Sequence, residues 1–99
     1  MAAQFDVYRT TSNSLVVVLQ NDLLSGLRTR AVAFLAEDRP SSENMGRLTP
    51  VLELDGKKLT LEAHTIATLT QTELGDKIGS LASHRDQIIR AFDALLSGV

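Results

Sequence analysis

Leu52-Glu53-Leu54-Asp55-Gly56-Lys57-Lys58-Leu59-Thr60-Leu61 is the stretch on which the fold turns. Leucine alternates with polar residues on both sides of Asp55-Gly56, which is the pattern of two half-buried strands. An Asp-Gly pair suits a two-residue type I′ turn, because both of its central residues need a positive φ. That turn pairs Leu52 with Leu59. A four-residue loop that takes in Lys57 and Lys58 pairs Leu54 with Leu59 instead. Both registers keep all four leucines on one face, so the same core residues follow from either.

Upstream of the hairpin the chain continues in short strands. Phe5-Asp6-Val7-Tyr8 alternates and predicts a first strand. Thr10 to Ser14 is a polar turn cluster. Leu15-Val16-Val17-Val18-Leu19 is continuous and β-branched-rich, which predicts a strand buried on both faces. Gln20-Asn21-Asp22 breaks that run, and Leu23-Leu24 follows in a loop that ends at Ser25-Gly26. As a bare pair the two leucines read first as core residues. Adjacent side chains rarely both point inward, however, and an exposed apolar pair is a contact site. Arg30 to Leu35 reads as another strand. Residues 37–47 form a polar connection in which Pro40 and Gly46 argue against regular structure, so a mobile loop is expected there.

Downstream, Thr65 to Thr70 predicts a further strand with Ile66 as its main apolar residue, and Thr72 to Ser80 reads as a connection containing Gly75 and Gly79. The chain then closes on an amphipathic helix of about fourteen residues, roughly 20 Å long. Ser83 suits its N-cap, with Asp86 three positions on. Ile88, Phe92, Leu95 and Leu96 form its apolar stripe, and Gly98 suits a left-handed stop. Asp86 and Arg90, spaced i,i+4, are expected to pair along it. The helix reads as stopping at the chain end, which places Ser97-Gly98-Val99 reproducibly at a surface. Antiparallel strands with short connections and one closing helix predict a small curled sheet or barrel packed on that helix.

Composition narrows the function classes. Ninety-nine residues, 43% of them apolar and 22% charged, fit one soluble globular domain over residues 1–99. No apolar run approaches a membrane span and no secretory signal is visible. The chain has no cysteine, which excludes disulfides and thiolate chemistry and favours a cytoplasmic location. A net charge of −2 without a basic stripe argues against direct nucleic-acid binding. His64 and His84 are the only histidines. Glu62-x-His64 shares a strand face, but two ligands do not make a metal site. Ser83-His84-Arg85-Asp86 holds the residue types of a hydrolase triad, yet neighbours at a helix start cannot take up its geometry. No phosphate-cradling glycine pattern occurs, and no cofactor is implied. Arg28 and Arg30 share a face if strand-borne and could meet phosphate.

In order along the chain, several segments resemble the CcdB family of gyrase-poisoning toxins. They are Gln4-Phe5-x-Val7-Tyr8, Gln20-Asn21-Asp22-Leu23-Leu24, Arg30-Ala31-Val32-Ala33-Phe34-Leu35, Leu48-Thr49-Pro50-Val51-Leu52-Glu53-Leu54 and the closing Ile88-Ile89-x-Ala91-Phe92-Asp93-x-Leu95-Leu96-Ser97-Gly98-Val99. The resemblance implies a fold that is mainly β with a C-terminal α-helix: an SH3-like small barrel with a five-stranded antiparallel sheet and a small accessory sheet. It implies a homodimeric, cytoplasmic toxin of a toxin–antitoxin pair, with a role in plasmid maintenance. Such a toxin binds the A subunit of DNA gyrase, traps the cleaved DNA complex, and is neutralised by a cognate CcdA-like antitoxin. On this reading the protein is not an enzyme and binds neither metal nor membrane. Carried over by position, Leu23, Leu24, Asp93, Leu96, Ser97, Gly98 and Val99 form the gyrase-binding set.

One position departs from the family pattern, which has Trp where this chain has Ser97. An aromatic ring there can stack on a gyrase arginine for roughly 0.5–2 kcal/mol; serine cannot. Two alternatives follow. One is a relative that has lost gyrase affinity and binds only antitoxin. The other is a MazF-type endoribonuclease on a related barrel, in which Arg28, Arg30 and a carboxylate would converge on RNA.

Overall fold

The computed structural model describes residues 2–24, 26–37 and 48–98. In chain order the strands are β1 (Asp6–Arg9), β2 (Leu15–Val18), β3 (Thr29–Glu37), β4 (Val51–Leu54), β5 (Lys57–Thr70) and β6 (Asp76–Ser80). A one-turn helix α1 (Gln71–Leu74) precedes β6, and helix α2 (Arg85–Ser97) closes the chain. Every strand pairing is antiparallel, in the order β4-β5-β3-β2-β1-β6. The fold class read from the sequence stands: mainly β, antiparallel, with a C-terminal helix. The strands join in one curled six-stranded sheet rather than five strands and an accessory sheet.

The hairpin takes the two-residue register. Leu52 faces Leu59 and Leu54 faces Lys57. Asp55 and Gly56 carry φ values of 52° and 82°, the left-handed pair that this turn needs. Leu52, Leu59 and Leu61 are buried and Leu54 is half-buried, so the predicted leucine face is the core face.

β2 lies in mid-sheet between β1 and β3, which explains its unbroken apolar run. Leu15 and Val17 enter the main core with Val7, Leu35, Leu52, Leu61 and, from α2, Ile88 and Ala91. Val16 and Val18 point the other way, into a smaller cluster with Val32, Ala2 and Leu74. A slip of one residue would exchange the two sets, so burial on both faces does not loosen the register.

The predicted strand at 65–70 is the far arm of β5. Phe34 pairs with Glu62, but Ala33 pairs with Ile66, so residues 63–65 bulge from the ladder. Thr65 repairs the break: its Oγ1 donates to the Glu62 carbonyl at 2.6 Å and accepts from the Phe34 N–H at 3.2 Å. Ile66 itself is exposed.

Residues 72–80, read as a connection, instead form the end of α1 and strand β6. Thr70 and Glu73 make a reciprocal capping box that starts α1. Gly75 then turns with φ 74° so close to β1 that a Cβ would lie 2.3 Å from the Arg9 carbonyl oxygen. Asp76-Lys77-Ile78-Gly79-Ser80 lacks the apolar alternation that marks a strand. It is recruited by pairing with β1, where buried Asp6 accepts the Ala3 N–H at 2.9 Å and meets Lys77 at 3.4 Å. The curl of the sheet brings its two edges together. A Cβ on Gly79 of β6 would stand 3.1 Å from Leu54 Cδ1 of β4. A cavity of about 150 Å³, floored by Val7, Leu15, Leu54, Leu59 and Ile78, occupies the seam.

α2 starts one residue later than Ser83 would set it, with His84 at the cap position. A 3₁₀ turn, Ala82–His84, comes first, and no side chain caps the helix that follows. His84 is committed elsewhere: its Nε2–H donates to the Glu53 carbonyl at 2.9 Å and so ties the helix start to β4. Asp86 meets its neighbour Arg85 at 3.7 Å instead of Arg90. Ile88 and Ala91 are buried, while Ile89 and Phe92 pack on the edge of the same core.

Candidate partner-binding surface

The two leucines after β2 are not core residues. Asp22–Leu24 forms a 3₁₀ turn with no buried side chain, and Leu23 and Leu24 are 92% and 52% exposed. The correction has a local cause. Gln20-Asn21-Asp22 fastens the turn by its own polar atoms, so the leucines are not needed to anchor it. Asn21 Oδ1 accepts the Leu23 N–H at 2.8 Å, and Gln20 Nε2 donates to the Leu24 carbonyl at 3.0 Å. Asp22 Oδ1 accepts the Gln4 N–H at 2.7 Å. Leu27, which the sequence did not single out, is also exposed just beyond.

The second set sits on the last turns of α2. Leu96, which the sequence places on the apolar stripe with Ile88, is 81% exposed and does not join the core that Ile88 and Ala91 enter. Asp93 is exposed, and its carbonyl accepts the Ser97 hydroxyl at 2.6 Å. Gly98 takes the predicted left-handed stop with φ 73°, its N–H bonded to the Ala94 carbonyl at 2.9 Å. Val99 lies outside the described residues, as does the predicted mobile loop apart from Glu37. Of the seven carried-over residues, the fold thus groups Leu23 with Leu24, and Asp93 with Leu96, Ser97 and Gly98. Val51, Ile66 and Ile78 are further exposed apolar side chains. Of these the sequence reading singles out only Ile66, as the main apolar residue of its predicted strand.

The arginine pair does not form a phosphate site. Arg30 is 1% exposed and donates to the carbonyls of Ala2, Leu27 and Thr29, while Arg28 lies before β3 and is exposed. A guanidinium spent on backbone carbonyls in the interior is structural. Two carboxyls are held below their ordinary range. For Glu37 the chief cause is the hydrogen bond from Arg9, at 2.8 Å; for Glu73 it is the backbone N–H of Thr70. Among the described residues no group of three or more His, Asp or Glu side chains could hold a metal ion. Nor is any helix among them long and apolar enough to cross a membrane.

These features define a small barrel-like β domain, closed by a helix, that presents leucines on an ordered turn and at a helix end. The sequence pattern of the CcdB family, described as CcdB protein, matches residues 4–98, and the chain belongs to that toxin family. No curated protein matches it. Among solved structures it is similar to an endoribonuclease from a mycobacterial species, at 18% identity and a TM-score of 0.80, covering 95% of this chain and 89% of that one. A second likeness is to a mycobacterial endoribonuclease in complex with its cognate antitoxin, at 16% identity and a TM-score of 0.79, covering 97% of this chain and 95% of that one. At such identities the likeness establishes the fold. It also corrects one expectation: that the protein is not an enzyme does not stand, because this architecture is also that of proteins named as endoribonucleases.

Proposed function

We propose that this CcdB-family chain is the toxin of a cytoplasmic toxin–antitoxin pair that acts on DNA gyrase. It binds the gyrase A subunit through Leu23 and Leu24 and through the α2 end, where Asp93, Leu96, Ser97, Gly98 and Val99 lie. A homodimer would present this patch twice to a two-fold target. Binding that is tighter to the cleaved state than to the closed state traps the former; equal affinity would trap nothing. One observation carries the reading: Leu23 and Leu96 are the two most exposed large apolar side chains of the described residues, at 92% and 81%, and both fall in the segments that match the family's target face. A partner that is an antitoxin is supported by the antitoxin complex of a structural relative. Ser97 removes the stacking contact that an aromatic would give, so the leucines carry more of the affinity here.

A gyrase cleavage assay with the full chain, and with residues 97–99 deleted, tests the proposal. The full chain should make cleaved DNA accumulate, and the truncated chain should not. Equal accumulation with both would remove the helix end from the surface, and none with either would remove gyrase as the target. Harmless expression without antitoxin would then favour a relative that has lost gyrase affinity.

The structural relatives support a second reading, RNA cleavage. It requires a cationic residue other than the buried Arg30 at the RNA, and Arg28 is the exposed candidate nearby. Incubation with single-stranded RNA separates the two readings, because intact RNA at high protein concentration excludes the second.

A further inference from the structure

The Leu23–Leu24 turn poses a physical problem. A 3₁₀ turn of three residues with no buried side chain has no packing to hold it. Nucleation of so short a helical segment is unfavourable on its own. Yet the turn is fastened from several directions. Gln20 is the central piece: its Nε2 donates to the Leu24 carbonyl at 3.0 Å, and its Oε1 accepts the Ala31 N–H of β3 at 3.3 Å. One amide therefore ties the turn to the sheet, and the two partners fix which way round the amide sits. On the opposite side Asp22 accepts the Gln4 N–H, while the Gln4 side chain donates to the Leu19 carbonyl at 3.0 Å. Beyond the turn, the Leu27 N–H reaches the Leu24 carbonyl at 3.0 Å, and buried Arg30 donates to the Leu27 carbonyl.

We infer that Gln20, Asn21 and Asp22 are positioning residues for partner binding. They hold an apolar pair out in solvent in its binding shape, so that association need not order it. The inference rests on the gyrase reading for the identity of the partner. The clamp itself rests on the hydrogen bonds alone. None of the three residues needs to touch gyrase, and Arg30 braces the same segment from the interior.

The test uses the full chain and four variants. Gln20→Leu removes both bonds of the bridging amide. Asp22→Ala removes the tie to Gln4. Asp22→Asn keeps the accepting Oδ1. Leu23→Ser removes the presented side chain and leaves the clamp. Hydrogen–deuterium exchange is read at the Leu24 and Leu27 amides, with Val17 and Ala33 as sheet controls, and binding to purified gyrase A is read as Kd. Gln20→Leu and Asp22→Ala should exchange at least about tenfold faster at Leu24 and Leu27, with unchanged sheet amides, and bind gyrase A about tenfold more weakly. Asp22→Asn should restore both values. Unchanged exchange in Gln20→Leu overturns the clamp. Faster exchange with unchanged Kd, where Leu23→Ser does weaken binding, overturns its role in binding. If Leu23→Ser also binds as the wild type does, the gyrase reading fails, while faster exchange in Gln20→Leu still upholds the clamp.

Discussion

The turn after β2 and the end of α2 both hold leucines out into solvent, but they do so by different means. The turn is tied to other parts of the sheet by Gln20, Asp22 and Gln4. At the helix end the hydrogen bonds of the described residues are local, Ser97 Oγ to the Asp93 carbonyl and the Gly98 N–H to the Ala94 carbonyl. Its tertiary anchor lies two turns back, at Ile88 and Ala91. The leucine pair of the turn is therefore fixed by long-range polar contacts, and Leu96 inherits its position from a docked helix. An apolar contact surface needs no apolar anchor, provided that polar atoms nearby carry the backbone.

The largest effect expected from this contrast is on stability. Ile88→Ala removes buried volume where α2 docks and should cost about 2–5 kcal/mol. Chemical denaturation measures the loss. Exchange should rise along α2 and spare Leu24, because the turn does not depend on the helix. A parallel rise at Leu24 would mean that the two regions are one cooperative unit. Next comes the double variant Leu23→Ser with Leu96→Ser. Each leucine buried in a complex is worth about 1.5–3 kcal/mol, so gyrase A affinity should fall at least about a hundredfold. Thermal stability should barely change, since both side chains are exposed. Calorimetric titration and a melting curve check the two halves of that statement.

Smaller effects refine the comparison further. Gly98→Ala forces a Cβ into a left-handed backbone at φ 73° and should cost about 1–2 kcal/mol locally. Exchange at the last α2 amides should rise while the turn stays protected. The smallest effect is that of acid. Hydrogen bonds from Arg9 and Thr70 hold Glu37 and Glu73 below the ordinary carboxylate range in the folded state. Their contribution is present above the unfolded value and is lost as pH falls through the folded values. Both groups are solvent-screened, so the change in melting temperature between pH 7 and pH 3 traceable to them should be slight. Glu37→Gln should reduce it. Neither group touches the turn or the α2 end, so acid at this level should leave both surfaces intact.

Much of this architecture was legible because single residues decided it. Asp55-Gly56 admits a positive φ twice, which set the hairpin, and the valines of β2 announced burial on both faces. Gly98 marked the helix stop. The misreadings share one physical cause, which is that tertiary contacts supplied what local sequence lacked. β6 carries no apolar alternation and exists through its pairing with β1. Ser83 lost the cap because a 3₁₀ turn intervened and His84 reached for Glu53. The leucines at 23 and 24 read as core because sequence shows that a residue is apolar, not that Gln20 and Asp22 have already secured the backbone beneath it. Arg30 reads as a phosphate-binding candidate until the carbonyls of Ala2, Leu27 and Thr29 are found around it. The family resemblance supplied the target face, which composition and periodicity do not reveal.

The gyrase proposal stands or falls on whether the Leu23–Leu24 turn and the α2 end meet the A subunit. Amide chemical-shift mapping of the labelled protein, titrated with the purified A subunit, tests it most directly. Perturbations should concentrate at residues 22–27 and 92–98, with little at the seam between β4 and β6. Perturbations centred on that seam, or spread over the exposed arm of β5 while both leucine sites stay silent, would contradict it.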